Sequence, residues 1–131
     1  MKKAISSIIL IFSIHILQAQ SVVSYDDVEA KTMNYYFAAK WDSLIIVGNE
    51  ALKNNIDYFY LRTRLGYAEF IKEHYRKAIR HFEKALSFNS YDEFSKYYLY
   101  LSYINGGYSE EAKFFGQSLN DSLKKQLNIE S

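Results

Sequence analysis

The chain contains no cysteine and no proline, and only 5 glycines among its 131 residues. Without cysteine there is no disulfide, no thiolate nucleophile, no Cys-based zinc site and no lipidated N-terminal cysteine to tether the chain to a membrane. Without proline, and with so few glycines, the sequence has little of the turn chemistry that closely spaced β-hairpins need, while nothing in it breaks a long helix. A formal charge of +1 gives no field that would gather DNA, RNA or anionic lipid, so no nucleic-acid partner is expected. What the chain does have is rings, 13 Tyr and 9 Phe, which must make up much of any core. Length and composition together predict one all-α domain.

The first residues follow a separate plan. Lys2 and Lys3 precede a run from Ala4 to Leu17 that is apolar apart from Ser6, Ser7, Ser13 and His15, and Gln18, Ala19 and Gln20 follow it. A basic start, an apolar middle and a small-residue exit make a secretory signal peptide, here residues 1–19 with the cut after Ala19. The apolar run is shorter than the roughly 20 residues a bilayer-spanning helix needs, so the mature chain is expected to have no membrane span. Cleavage removes two lysines and no acid, which turns the formal charge to −1. The expected location is periplasmic, outer-membrane-associated or secreted.

Displacing the sequence against itself by 34 residues reveals a repeat. Its middle copy, residues 59–92, carries Leu65, Gly66, Ala68, Tyr75, Ala78, Ile79, Phe82, Ala85 and Leu86. Gly66, Ala68, Ala78 and Ala85 are small where two helices would cross closely, and Leu65, Phe82 and Leu86 form an apolar stripe at three- and four-residue steps. Lys72, Glu73 and His74 fill the turn between the helices. These residues at these spacings resemble the tetratricopeptide repeat, a helical hairpin that stacks into an α-solenoid. The fold expected is therefore all-α, about three antiparallel hairpins with a short C-terminal capping helix.

The copies on either side match less well. In residues 25–58, Trp41, Ala51 and Leu52 stand opposite Tyr75, Ala85 and Leu86, but Thr32 replaces Gly66 and Leu44 replaces Ala78. Helices are expected from about Asp26 to Ala39 and from about Asp42 to Lys53. In residues 93–116, Leu99 and Ala112 keep their places, but Tyr100 replaces Gly66 and Gly116 replaces Phe82. Both copies read as diverged. Ser90 with Glu93 reads as a capping box that opens the third hairpin. Leu119, Leu123 and Leu127 at four-residue steps, with Asn120 or Asp121 as N-cap, predict a capping helix within residues 117–131.

Nothing in the sequence arranges catalytic groups. His74 and His81 read as a turn histidine and a surface histidine, since neither HExxH nor cysteine accompanies them. Asp26 with Asp27 and Glu110 with Glu111 are adjacent, so they diverge on a helix and suit its N-terminal dipole better than an acid–base pair. No serine lies in a Gly-x-Ser-x-Gly frame and no glycine-rich phosphate loop is present. No cofactor, no metal and no enzymatic activity are expected.

The resemblance implies a function in protein binding. In tetratricopeptide proteins the first helix of each hairpin lines a concave groove that takes a partner's extended or helical segment. Carried onto this sequence, the groove positions are Tyr60, Arg64 and Tyr67 in the middle copy and Tyr97, Tyr98 and Leu101 in the last. Arg62 and Arg64, two residues apart, cannot both face a groove, and one of them should be solvated. The block from Lys40 to Ala112, with its run from Ile56 to Arg62, is also similar to the N-terminal repeat segment of larger exported Bacteroidetes-type proteins, which implies an association with outer-membrane proteins. Some such proteins continue into an outer-membrane β-barrel. The alternative expectation is thus an N-terminal fragment of a barrel protein with a structural or assembly role.

Overall fold

A computed structural model describes residues 23–130; the signal peptide assigned to residues 1–19 lies outside them. Seven helices run in order: α1 (Tyr25–Phe37), α2 (Trp41–Lys53), α3 (Phe59–Ile71), α4 (Tyr75–Phe88), α5 (Glu93–Asn105), α6 (Ser109–Gln117) and α7 (Asp121–Leu127). No strand occurs among the described residues. α1 packs on α2, α3 on α4 and α5 on α6, while α2 on α3 and α4 on α5 join successive pairs, and α7 returns onto α5. The chain is an all-α solenoid of three antiparallel hairpins with a short terminal helix. No helix among the described residues is long and apolar enough to cross a membrane.

The helices keep the 34-residue register more faithfully than the side chains do. First helices start at Tyr25, Phe59 and Glu93, and second helices at Trp41, Tyr75 and Ser109, a spacing of 34 throughout. The turns repeat just as closely. Ala39, Glu73 and Gly107 each adopt a left-handed conformation, with φ of 53°, 61° and 80°. After each of them an amide reaches back five residues, from Lys40 to the Tyr35 carbonyl, His74 to Glu69 and Tyr108 to Tyr103, all at 2.8 Å. This is the Schellman arrangement, which satisfies carbonyls that a helix end would otherwise leave open. Tyr108 therefore occupies the position of His74, immediately before its helix, and is in phase.

Helix starts are fixed by short polar side chains where these are present. Ser24 accepts from the Asp27 amide at 3.2 Å and Asn120 from the Leu123 amide at 2.9 Å. At α5 the expected cap is corrected: Asp92, not Ser90, accepts from the Ser95 amide at 2.7 Å. A carboxylate one residue before the helix is the better acceptor for these amides, because it also opposes the helix dipole. α1 ends at Phe37, two residues before the expected boundary, because Ala38 and Ala39 are used in the turn.

Two clusters make up the core. The first joins Val28, Leu44, Ala51, Leu61, Leu65 and Ala68 across the first two hairpins. The second joins Ala78, Ile79, Phe82, Leu99, Tyr103 and Ala112 across the last two. Phe82 is fully buried, and the hydrophobic contribution of such a side chain is about 3 kcal/mol. Its ring lies over Gly66, where a Cβ would come within 2.9 Å of Cε1. The apolar stripe read in residues 59–92 is divided between the two clusters, Leu65 in the first and Phe82 and Leu86 in the second, and the α3–α4 pair sits at the centre of the stack.

Candidate functional site

The stacking of first helices on one another creates a groove. Its cavity of about 280 Å³ is lined by Met33, Tyr36 and Phe37 from α1, by Phe59, Tyr60, Thr63 and Arg64 from α3, and by Asp92 and Phe94 where α5 begins. No second helix contributes. The common register accounts for this, since Tyr60 and Phe94 hold the same position in successive copies and Met33 holds the position of Tyr67. Large apolar side chains stay open to solvent here: Phe37 is 79% and Tyr60 58% exposed.

The groove offers no unpaired cation. Arg64 directs its guanidinium at Glu29, with Nη1 to Oε2 at 2.9 Å and Nη2 to Oε1 at 2.7 Å, and Nη1 also donates to Thr32 Oγ1 at 3.1 Å. The side chain is 12% exposed. Hydrogen bonding from Arg64 holds the Glu29 carboxyl below its ordinary pKa, against the opposing effect of burial. The pair cross-links α1 to α3 beneath the groove floor. Tyr60 packs its ring against the same guanidinium, 5.8 Å from ring centre to Cζ. Asp92 at the rim is engaged as the cap of α5.

The six residues carried over from the repeat do not form one surface. Tyr60 and Arg64 line the groove. Tyr97 and Tyr98 line a second hollow of about 220 Å³ with Glu93, Phe94 and, from α7, Leu123 and Gln126. Phe94 is the residue the two hollows share. Tyr67 is a half-buried wall, its ring 5.5 Å from those of Tyr36 and Trp41, 4.9 Å from Tyr98 and 5.6 Å from Phe94. Leu101 is half-buried on α5 and lines neither hollow. Met33, Tyr36, Phe37, Phe59 and Phe94 line the groove without having been singled out in the sequence. Carrying Tyr67 back into residues 25–58 gives Met33, and carrying Tyr60 forward into residues 93–116 gives Phe94.

Two expectations about charged side chains are corrected. Neither Arg62 nor Arg64 is left to solvent: Arg62 makes its own fork to Asp57, at 2.7 and 2.8 Å, and its Nη1 lies 3.1 Å from His81 Nδ1. His81 is not a surface residue but 8% exposed on α4. Burial, reinforced by the positive charge of Arg62, lowers its pKa to about 4, so it is neutral at pH 7 and accepts from Arg62. Asp57, Arg62 and His81 thereby tie the loop before α3 to α4. His74, in its turn, meets Glu69 Oε2 through Nδ1 at 2.6 Å.

Other titrating groups near the hollows move away from reactivity. Burial raises Tyr36, and burial together with Tyr67 raises Tyr98 to about 12, so both phenols keep their protons at neutral pH. Among the described residues no three His, Asp or Glu side chains converge as metal ligands would. No protein family, curated protein or solved structure matches the chain.

Proposed function

We propose that the chain is an exported, non-enzymatic binding module of the tetratricopeptide type, whose groove takes an extended or helical segment of a protein partner. The observation that carries this reading is the groove's construction: it is lined by the first helices of all three hairpins and by no second helix. Its exposed rings are of the kind that anchor binding hot spots. Because Arg64 is already neutralised by Glu29, the anchor of the bound segment is apolar or aromatic rather than a carboxylate. The hydrogen-bonded ion pair beneath the rings serves to hold the floor in one geometry.

A displayed library of short random peptides, panned on the purified protein, tests this. Enriched peptides should share an aromatic or aliphatic anchor, and their binding should fall in Phe37→Ala and Tyr60→Ala while persisting in Ile46→Ala, which removes a side chain 70% exposed on α2. Failure to enrich any peptide, or equal loss in all three variants, would sink the groove reading. Cell fractionation tests export: the reading requires the mature protein outside the cytoplasm.

A further inference from the structure

A second surface stands apart from the groove, at the edge where the turns of the second and third hairpins meet. A concavity of about 440 Å³ there is lined by Arg76, Lys77 and Arg80 of α4, together with Tyr75, Tyr108 and Glu73 among others. The three cations are exposed and form no ion pair among the described residues. His74 beside them is held by Glu69. Glu83 accepts from the Tyr103 hydroxyl at 2.8 Å, and Glu111 lines the adjoining cleft with Arg76 and Arg80 without pairing to either.

The cations also stand where the repeat elsewhere puts acids. At the positions of Arg76 and Lys77, α2 carries Asp42 and Ser43, and α6 carries Glu110 and Glu111. Acids in a first turn suit the helix dipole, whereas cations there are unfavourable. α4 thus concentrates three positive charges without a direct ion pair, two of them against its own dipole, at a hollow between two turns. Cations in a first turn oppose the helix dipole, and an anion in the hollow would be attracted both to them and to the dipole and so offset that cost.

We propose that this hollow is an anion-binding surface that docks an acidic segment of a protein partner. Charge complementarity identifies the occupant. The cluster is short and bordered by Glu73, Glu83 and Glu111, so a nucleic acid, with a charge at every step along its length, would meet those acids on leaving the cations. A few Asp or Glu residues on a flexible peptide span the cluster and stop, and the rings of Tyr75 and Tyr108 offer faces for their methylene groups. The surface is independent of the groove and does not require the groove to be occupied.

The test uses fluorescence anisotropy with a labelled oligoglutamate peptide and the purified protein at low ionic strength. Binding should be saturable, weaken as salt is added, and fall about tenfold or more in Arg76→Glu/Arg80→Glu, while Lys31→Glu/Lys125→Glu, with the same change in net charge, leaves it nearly intact. The thermal midpoint of Arg76→Glu/Arg80→Glu should be no lower than that of the native protein, since Arg76→Glu places an acid in the first turn, so that the loss reads binding and not unfolding. Absence of saturable binding, or equal weakening by the control pair, overturns the proposal. Displacement of the peptide by millimolar inorganic phosphate beyond that caused by chloride of equal ionic strength, or tighter binding of a single-stranded oligonucleotide, would reassign the hollow and equally overturn it.

Discussion

Gly116 lies under the ring of Tyr100, where a Cβ would stand 3.0 Å from Cε2, and this pair inverts the one formed by Gly66 and Phe82. Gly66 and Tyr100 hold the same position in successive first helices, as Phe82 and Gly116 do in the second helices. In one hairpin the ring comes from the second helix and the glycine from the first; in the next the roles are exchanged. The volume between the helices is kept while both residues change. Two apparent departures from the repeat are one compensated change.

Gly66→Ala should therefore be costly, since the new Cβ would meet the fully buried Phe82 ring at 2.9 Å. A loss of about 1–3 kcal/mol in chemical denaturation is expected for overpacking of this kind. Phe82→Leu in the same chain should recover part of that loss, so that the double variant is more stable than the two single effects would sum to. Additive effects would show that the two side chains do not share the space.

The left-handed turn positions give a prediction of opposite sign. Ala39 and Glu73 adopt the conformation that Gly107 adopts in the third turn, with a Cβ each that this region disfavours. Ala39→Gly and Glu73→Gly should each stabilise the fold by about 0.5–1 kcal/mol, after allowing for the extra freedom of glycine in the unfolded chain. Glu73→Gly also removes the acid at the rim of the cationic hollow, so oligoglutamate should bind that variant more tightly.

Removing one half of the Arg64–Glu29 pair should be worse than removing both. Arg64→Leu leaves a carboxylate at the α1–α3 contact without its fork and should cost about 2–3 kcal/mol, whereas Glu29→Leu/Arg64→Leu should cost less than Arg64→Leu alone. Thermal midpoints of the three variants decide it. The same result would make Arg64 a poor probe of groove binding, because its loss disturbs the floor before it disturbs any partner.

Acid should weaken the fold through His81. Its folded pKa of about 4 lies below the ordinary 6.5, so between these values the unfolded chain binds more protons and stability falls as pH drops. The loss from this group approaches about 3 kcal/mol by the time pH reaches its folded pKa. His81→Gln keeps an acceptor for Arg62 and cannot titrate in this range, so its stability should fall less between pH 6.5 and 4. Glu29 adds to the loss at the acid end of that window and below it, its depressed pKa giving stability that is present above its ordinary value and lost as pH falls through the folded value. If the His81→Gln profile parallels that of the native protein, His81 is not the source.

Much of the architecture was legible because it rests on spacing. Small residues at Gly66, Ala78 and Ala85 and the stripe through Leu65, Phe82 and Leu86 are local signals, and the 34-residue step extended them along the chain. What escaped depends on partners distant in sequence. The exchange at Tyr100 and Gly116 is visible only when two helices are laid together. Arg62 read as the solvated arginine although Asp57 is only five residues away, because its second partner, His81, lies on α4. His81 read as superficial because no ligand motif accompanies it, its burial depending on packing across helices. The groove was half legible: Tyr60 and Arg64 follow from the middle repeat, and Met33 and Phe94 from carrying its positions by 34 residues, whereas Phe37 depends on how neighbouring first helices meet.

The constant phase of the turns has a consequence for ancestry. Because helix starts and the left-handed residues Ala39, Glu73 and Gly107 recur at one interval, a copy of residues 59–92 inserted between the second and third hairpins would present each neighbour with an element boundary it already accommodates. Duplication or loss of a whole unit thus keeps the register of helices and turns. A gain or loss of one residue within a unit is severe, since it would rotate every helix beyond it relative to the stack. A lineage of such chains should differ in steps of whole hairpins.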